Sequence, residues 1–357
     1  MARRHNILVL FLVFSATVVA IPSRALHAAK GTVKVFILDG QSNAGGTVGR
    51  FLLDHQAKDP KTKNLFKHLR KDGKWIVRDD VFIKFLKRKG PLTIGYGWGD
   101  RTGVEFEFGN VMGNNLDDPV LLIKAGCCCN LYQSSRPPSA GLPSDKKLQK
   151  DLDQARARVK QNNKKHKRND PLPTMDDIKK PYGSAYRVML SEVKNVLDNY
   201  ETLFPALKGK KLELAGFLWF QGFSDQSPER SAEYESNMKH YIKDVRRDLK
   251  APKLPFVIAA LGMNGSKPAK GGMLTVRNAQ LAMNDVPEFK GNVKAFRTDL
   301  LADKEAERLF PNWPKHHKEW VRVGSDIPCH YLGSAIWHNR IGRSMANAML
   351  KMLGKGK

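Results

Sequence analysis

Apolar runs of strand length recur along the chain, separated by stretches of helical period. "VKVFIL" (33–38), "PVLLIKA" (119–125), "LELAGFLWF" (212–220), "PFVIAAL" (255–261) and "NVKAFRT" (292–298) are nearly continuous apolar segments. Such runs suit strands buried on both faces, as in a parallel sheet covered by helices. Between them, helices are predicted at 182–199, 275–285 and 333–352. Another begins at Ser227, a good N-cap followed by Pro228 at the first helical position. Repeated alternation of strand and helix predicts a three-layer α/β/α sandwich around a mostly parallel sheet. Two segments break the rhythm. Residues 50–100, with "KWIVRDDVFIKF" and "GPLTIGYGWGD", predict a small β-hairpin insertion before the second strand. Residues 143–181 hold "DKKLQKDLDQARARVKQNNKKHKRND", a Lys/Arg-dense helix with little apolar face, expected as a solvated excursion from the core.

The first residues read differently. "MARRH" is a basic start, "NILVLFLVFSATVVAI" an apolar core too short for a span, and "SRALHAAK" a run ending in small residues. This is the pattern of a secretory signal peptide over residues 1–28, leaving 29–357 as a single domain with the basic helical insertion at 143–181. Export to the periplasm or the exterior is the expectation.

A formal charge of +26 on 357 residues changes the picture of partners. Cleavage after Ala28 removes Arg3, Arg4 and Arg24 and no acid, so the mature chain stays strongly basic. Long-range attraction then favours polyanions. Export and the absence of helix-turn-helix, zinc-finger or RNA-binding signatures argue against nucleic acid. An acidic polysaccharide or an anionic envelope surface fits the compartment better. The four cysteines, Cys127, Cys128, Cys129 and Cys329, have no CxxC spacing, and the pair His316–His317 lacks partners at helical spacing, so no metal site is predicted.

Candidate chemistry gathers at strand ends. "VKVFILDGQSNAGG" stops a strand at Asp-Gly-Gln-Ser-Asn, which places Ser42 at the carboxyl end of a parallel strand, where open α/β sheets bind ligands. "FLWFQGFSD" puts Gln221 just past a later strand, and "SDIPCHYLGS" puts His330 immediately before the last helix. A serine becomes a nucleophile when a histidine within reach takes its proton. The oxyanion that follows needs preorganised N–H donors.

Taken together, "GQSN", "GVEFEFG", "RPPSAG", "YGSAYRVM", "WFQG" and "CHYLGSAIWHNRIGRSMA" resemble the sialate O-acetylesterase-like carbohydrate esterases of the SGNH-hydrolase superfamily. The resemblance covers roughly Val33–Tyr132 and Tyr182–Leu350. It implies a flavodoxin-like sandwich and deacetylation of sugars, with Ser42 as nucleophile, His330 as general base and Gln221 as amide donor to the oxyanion. Gly126, after the second strand, lies where a family backbone donor is expected. No metal or organic cofactor is implied. Asp326 is the expected triad acid, with Asp225 as competitor, and a dyad oriented by a backbone carbonyl is a further arrangement. Arg136 either meets a substrate carboxylate bidentately or anchors its own loop. His338 is expected on a helix surface.

The chain also departs from the family pattern. Phe223 stands where Glu usually follows Gln-Gly, and Ile327 occupies the position of an Asp three residues before the histidine. "AGCCCN" replaces a Trp-Gly-Gly-Lys-like turn, and Asp39 and Ala44 flank the serine motif in place of Ala and Met. A disulfide from Cys329 to one of Cys127–Cys129 would tie the histidine loop to the oxyanion loop. The main expectation is an exported carbohydrate acetylesterase acting on acetylated, including anionic, glycans. Its rival is a glycan-binding protein on a decayed esterase scaffold.

Overall fold

Alternation along the first strand sets the layers. In β1 (Thr32–Gly40), Val33, Val35 and Ile37 point into one core, while Phe36 and Leu38 point into the other. Both faces are therefore covered, as the continuous apolar run requires. A computed structural model describes residues 31–126 and 129–355, and from Gly31 onward the chain forms one compact unit. The signal-peptide expectation falls on residues 1–28, outside the described residues. No described helix is long and apolar enough to cross a membrane.

The other strands are β2 (Arg70–Lys71), β3 (Lys74–Trp75), β4 (Val81–Phe85), β5 (Arg88–Pro91), β6 (Val120–Lys124), β7 (Lys211–Phe220), β8 (Phe256–Ala260) and β9 (Val293–Arg297). Seven form one sheet in the order β5-β4-β6-β1-β7-β8-β9. Its pairs are parallel except β4–β5. The principal helices are α1 (Ser42–Gly45), α2 (Val104–Asn115), α3 (Asp145–His166), α4 (Ser184–Leu203), α5 (Pro228–Asp248), α6 (Gly271–Leu281) and α7 (Ala335–Met352). Helices α2 and α7 cover one face of the sheet; α4, α5 and α6 cover the other. The predicted mostly parallel three-layer sandwich is the fold observed.

One expectation is extended. The segment 50–100 supplies the expected hairpin, β4 and β5 pairing antiparallel, but that hairpin belongs to the central sheet through β4–β6, and β2–β3 forms a second, separate ladder. All five residues of β4 are buried, and Val81 to Phe85 pair in register with Val120 to Lys124. A strand so apolar belongs in the sheet, and antiparallel β5 (Arg-Lys-Gly-Pro) closes its edge with charge and a proline.

Strand order places the crevice. From β1 the sheet grows through β6 and β4 on one side and through β7, β8 and β9 on the other. The loops after β1, β6 and β7 therefore diverge around a topological switch point, at the carboxyl edge where such sheets bind ligands.

Candidate active site

Ser42 is the first residue of the one-turn helix α1, directly beyond β1. The turn needs Gly40: its φ is +149°, and a Cβ there would fall 2.2 Å from the Phe220 carbonyl oxygen on β7. Gln41 then fixes the turn from both sides. Its backbone carbonyl accepts from Ala44 and Gly45 N–H (2.8 and 3.2 Å), and its side-chain Oε1 accepts from the Gly222 and Ser224 N–H groups after β7 (3.0 and 3.3 Å). Gln41 lies inside the quoted motif, yet its role was not read from the sequence.

Beneath α1 sits a buried cation. Lys124, the last residue of β6, donates to the carbonyls of Gly45 (3.1 Å) and Tyr96 (2.8 Å) and pairs with Glu105 of α2 at 3.0 Å. Glu105 in turn accepts from Gly103 N–H at 2.8 Å. The ammonium thus clamps the carbonyl end of the Ser42 turn to two neighbouring elements.

Trp98 links this turn to His330. The Trp98 indole lies so close to Gly45 that a Cβ there would meet Nε1 at 2.9 Å, and its ring meets His330 edge-to-face with centroids 5.9 Å apart. Ser42 and His330 therefore share the carboxyl edge of the sheet. Among the described residues no direct hydrogen bond joins them; such bonds commonly tighten only once substrate is bound. Burial holds the His330 imidazole below its ordinary pKa, partly offset by a hydrogen bond to the Ile327 backbone. A neutral ring at neutral pH is the state a general base requires.

The expected acids are engaged elsewhere. Asp326 is largely exposed, and both its oxygens are taken by Arg101, at 2.9 and 3.0 Å, while Arg101 also reaches the Thr47 carbonyl at 3.3 Å. Instead of orienting the imidazole, Asp326 straps the histidine loop to the segment after Ser42. Asp225 is buried and accepts from Leu131 and Tyr132 N–H (both 2.9 Å) and from Gln221 Nε2 (2.6 Å). It props the loop that follows β6.

Gln221 is likewise committed. Its amide donates to Asp225 and, at 3.4 Å, to the Cys129 carbonyl, and its Oε1 accepts from the Tyr234 hydroxyl at 2.8 Å. The side chain expected to face an oxyanion is locked into a buried network with Asp225. Gly126 does lie beside the turn: a Cβ there would fall 1.7 Å from Asp39 Oδ1 and 3.0 Å from the Gly40 carbonyl oxygen, so only glycine fits. Asp39 is fully buried and accepts from Tyr241 and from Gly40 N–H; burial pushes it up to about 6.

Arg136 takes the anchoring role: it donates to the carbonyls of Gly141 and Tyr132 and pairs with Glu233 at 2.8 Å. His338 is corrected from surface to core. Only 1% exposed, it bonds through Nδ1 to the Ser334 carbonyl at 2.9 Å, and burial pushes it down to about 4. Cys127 and Cys128 lie outside the described residues. Cys329 is an exposed free thiol turned toward its neighbour, with Sγ 3.1 Å from His330 Nδ1, so the expected bridge is not formed here. His316 and His317 are exposed, and no metal-ligand cluster occurs among the described residues.

Comparison with known proteins bears on this edge. Residues 174–307 match the family model of carbohydrate esterase, sialic acid-specific acetylesterase. The resemblance read from the motifs holds. The matched stretch contains Gln221 and Asp225 but neither Ser42 nor His330. A probable carbohydrate esterase of Arabidopsis thaliana is 39% identical over 72 residues, 20% of this chain and 26% of that protein. The aligned stretch spans about a quarter of the relative's length. The X-ray structure of an Arabidopsis thaliana protein superposes with a TM-score of 0.50 at 18% identity, over 89% of this chain and 97% of that one, and shares the fold. A carbohydrate acetylesterase of Xanthomonas citri gives a TM-score of 0.44 at 12% identity, over 89% of this chain and 56% of that one.

Proposed function

We propose that the protein is an exported serine esterase that removes O-acetyl groups from carbohydrate, acidic glycans among its substrates. The observation that carries this reading is the placement of Ser42 on a one-turn helix at the switch point, with a half-buried His330 beyond Trp98. In the proposed reaction Ser42 Oγ attacks the acetyl carbonyl while His330 takes the hydroxyl proton. The ring then gives that proton to the departing sugar oxygen, and water attacks the acetyl-enzyme with His330 again as base. The Ser42 N–H, at the first turn of α1 where helix donors lack intrahelical partners, and a backbone donor at Gly126 hold the oxyanion. The Ile327 backbone orients the imidazole in place of a carboxylate. The leader pattern at residues 1–28 supports export. The deciding assay is acetate release from nitrophenyl acetate and from acetylated glycans, with wild type beside Ser42→Ala.

Two predictions follow from the electrostatics of this arrangement. Because burial lowers the His330 pKa, the neutral base persists to lower pH than for an ordinary histidine. The rising acid limb of kcat/KM is therefore expected to have its midpoint below 6.5, and a midpoint above 7 would contradict a desolvated base. Asp326→Asn is expected to cost less than about tenfold in kcat, because the carboxylate serves Arg101. A triad acid removed in the same way costs about 10⁴-fold, and a loss of that size would reinstate Asp326 as the orienting acid.

A further inference from the structure

The long basic helix is unnecessary to the sandwich, and its cost is visible. Of the 22 residues of α3, only Leu148 and Leu152 are buried, both in its first half. At 1.5 Å per residue the helix is about 33 Å long. Beyond Leu152 it buries no residue fully: Ala155, Arg156, Val159 and Asn163 are half-buried, Arg156 and Asn163 bonding to Pro173 and Asp170 of the segment that follows, and the rest are exposed. Residues 154–169 carry seven Lys or Arg and no Asp or Glu. The pairs Arg156–Lys160 and Lys160–Lys164 stand four apart, where like charges destabilise a helix by about 0.2–0.5 kcal/mol each. Folding alone gives no reason to keep such a ridge.

At the root of α3 lies a cleft of about 250 Å³, walled by Pro137, Leu142, Tyr182 and Tyr186 and bordered by Arg187. Burial raises the Tyr182 pKa, with the nearby Asp151 and Lys147 of the first turns of α3 acting in opposite directions, so the cleft adjoins the root of the helix. Arg187 is exposed, and its guanidinium donates to the Tyr182 and Lys180 carbonyls, leaving further N–H groups to offer. The cleft wall from Arg136 follows Leu131 and Tyr132 in the chain, whose N–H groups Asp225 holds.

We infer that the distal half of α3 and the cleft at its root form a docking surface for an acidic polysaccharide chain, retaining the polymer whose acetyl esters the Ser42 site removes. The substrate clause rests on the esterase reading; the surface does not. A lipid bilayer fits poorly, because none of the exposed large apolar side chains lies on α3, and interfacial helices need an apolar face. Single-stranded nucleic acid wants exposed aromatic rings for stacking, whereas Tyr182 and Tyr186 are buried walls. A ridge of cations beside an apolar, guanidinium-edged cleft of sugar-ring size matches a polymer with a carboxylate on each ring.

The test uses the full mature chain, a variant with Arg158, Lys160, Lys164 and Lys165 all changed to Gln, and Arg187→Gln. Binding to polygalacturonate, neutral dextran, duplex DNA and phosphatidylglycerol vesicles is measured at 0.1 M and 1 M salt. Wild type is expected to bind polygalacturonate and not dextran, with affinity collapsing as the Debye length shrinks from about 10 Å to about 3 Å. The quadruple variant is expected to bind at least about tenfold more weakly at low salt, within the range of electrostatic steering, and Arg187→Gln several-fold more weakly. Both variants should hydrolyse nitrophenyl acetate as wild type does. Unchanged affinity in either variant, or tighter binding of DNA or vesicles than of polygalacturonate at equal ionic strength, overturns the surface. Polygalacturonate binding lost with the ridge in a protein that releases no acetate supports the surface and removes the esterase reading alone.

Discussion

Ser42→Ala is expected to lower acetate release by about 10⁶-fold, the loss typical of a triad serine, and to leave folding unchanged. Both halves come from the geometry. Among the described residues the Ser42 hydroxyl makes no hydrogen bond to the protein, so its removal leaves no buried partner stranded. The turn that displays it is held by backbone groups, by Gln41 and by Lys124, none of which needs the Oγ. Without the oxygen there is no covalent intermediate, and the remaining donors give only the residual acceleration of an oxyanion site. Retention of a tenth of wild-type turnover would remove Ser42 as nucleophile. A parallel thermal melt separates this result from unfolding, since the expected change in midpoint is negligible.

The fold was largely legible because each buried strand is a continuous apolar run, and the β-α rhythm leaves few arrangements. What the pattern could not give was pairing. "VFIKF" reads as one arm of a hairpin, but that this hairpin docks beside β6 in the central sheet depends on contacts about forty residues apart. The placement of Ser42 beyond β1 and of His330 just before the last helix was legible, because a strand run ending in Gly-Gln-Ser-Asn and a histidine ahead of a helical pattern are both local signals. The site was less legible where one polar side chain satisfies another. Gln221 looks like an outward amide until Asp225, four residues on, is seen to accept its N–H. Asp326 looks like a triad acid until Arg101, distant in sequence, is found on both its oxygens. His338 had a signal that went unused: Ile341 and Met345 follow at three and seven residues, which puts it on the buried stripe of α7. Lys124 carried none, because a lysine ending an apolar strand is ordinarily at the solvent.

That lysine supplies the largest expected loss of stability. Lys124→Met is expected to cost about 3–5 kcal/mol, the range for removing one member of a buried ion pair. Glu105, 1% exposed, would keep only the Gly103 N–H for its charge, and the Gly45 and Tyr96 carbonyls would lose their donor. The loss should appear in urea as a lower midpoint with unchanged slope, since the surface exposed on unfolding does not change. Adding Glu105→Leu to Lys124→Met should restore part of it, because two apolar residues strand no charge, whereas the two orphaned carbonyls keep the recovery incomplete. Catalysis should suffer separately. Gly45 closes the turn that begins with Ser42, and without its clamp the nucleophile loses orientation, a misplacement of about 1 Å being enough for a roughly hundredfold fall in kcat. A cost below about 1 kcal/mol for Lys124→Met would show that the pair at 3.0 Å is not what holds this edge together. A double variant less stable than Lys124→Met would show that Glu105 stabilises this edge mainly through its bond to the Gly103 N–H at 2.8 Å and not through its pairing with Lys124.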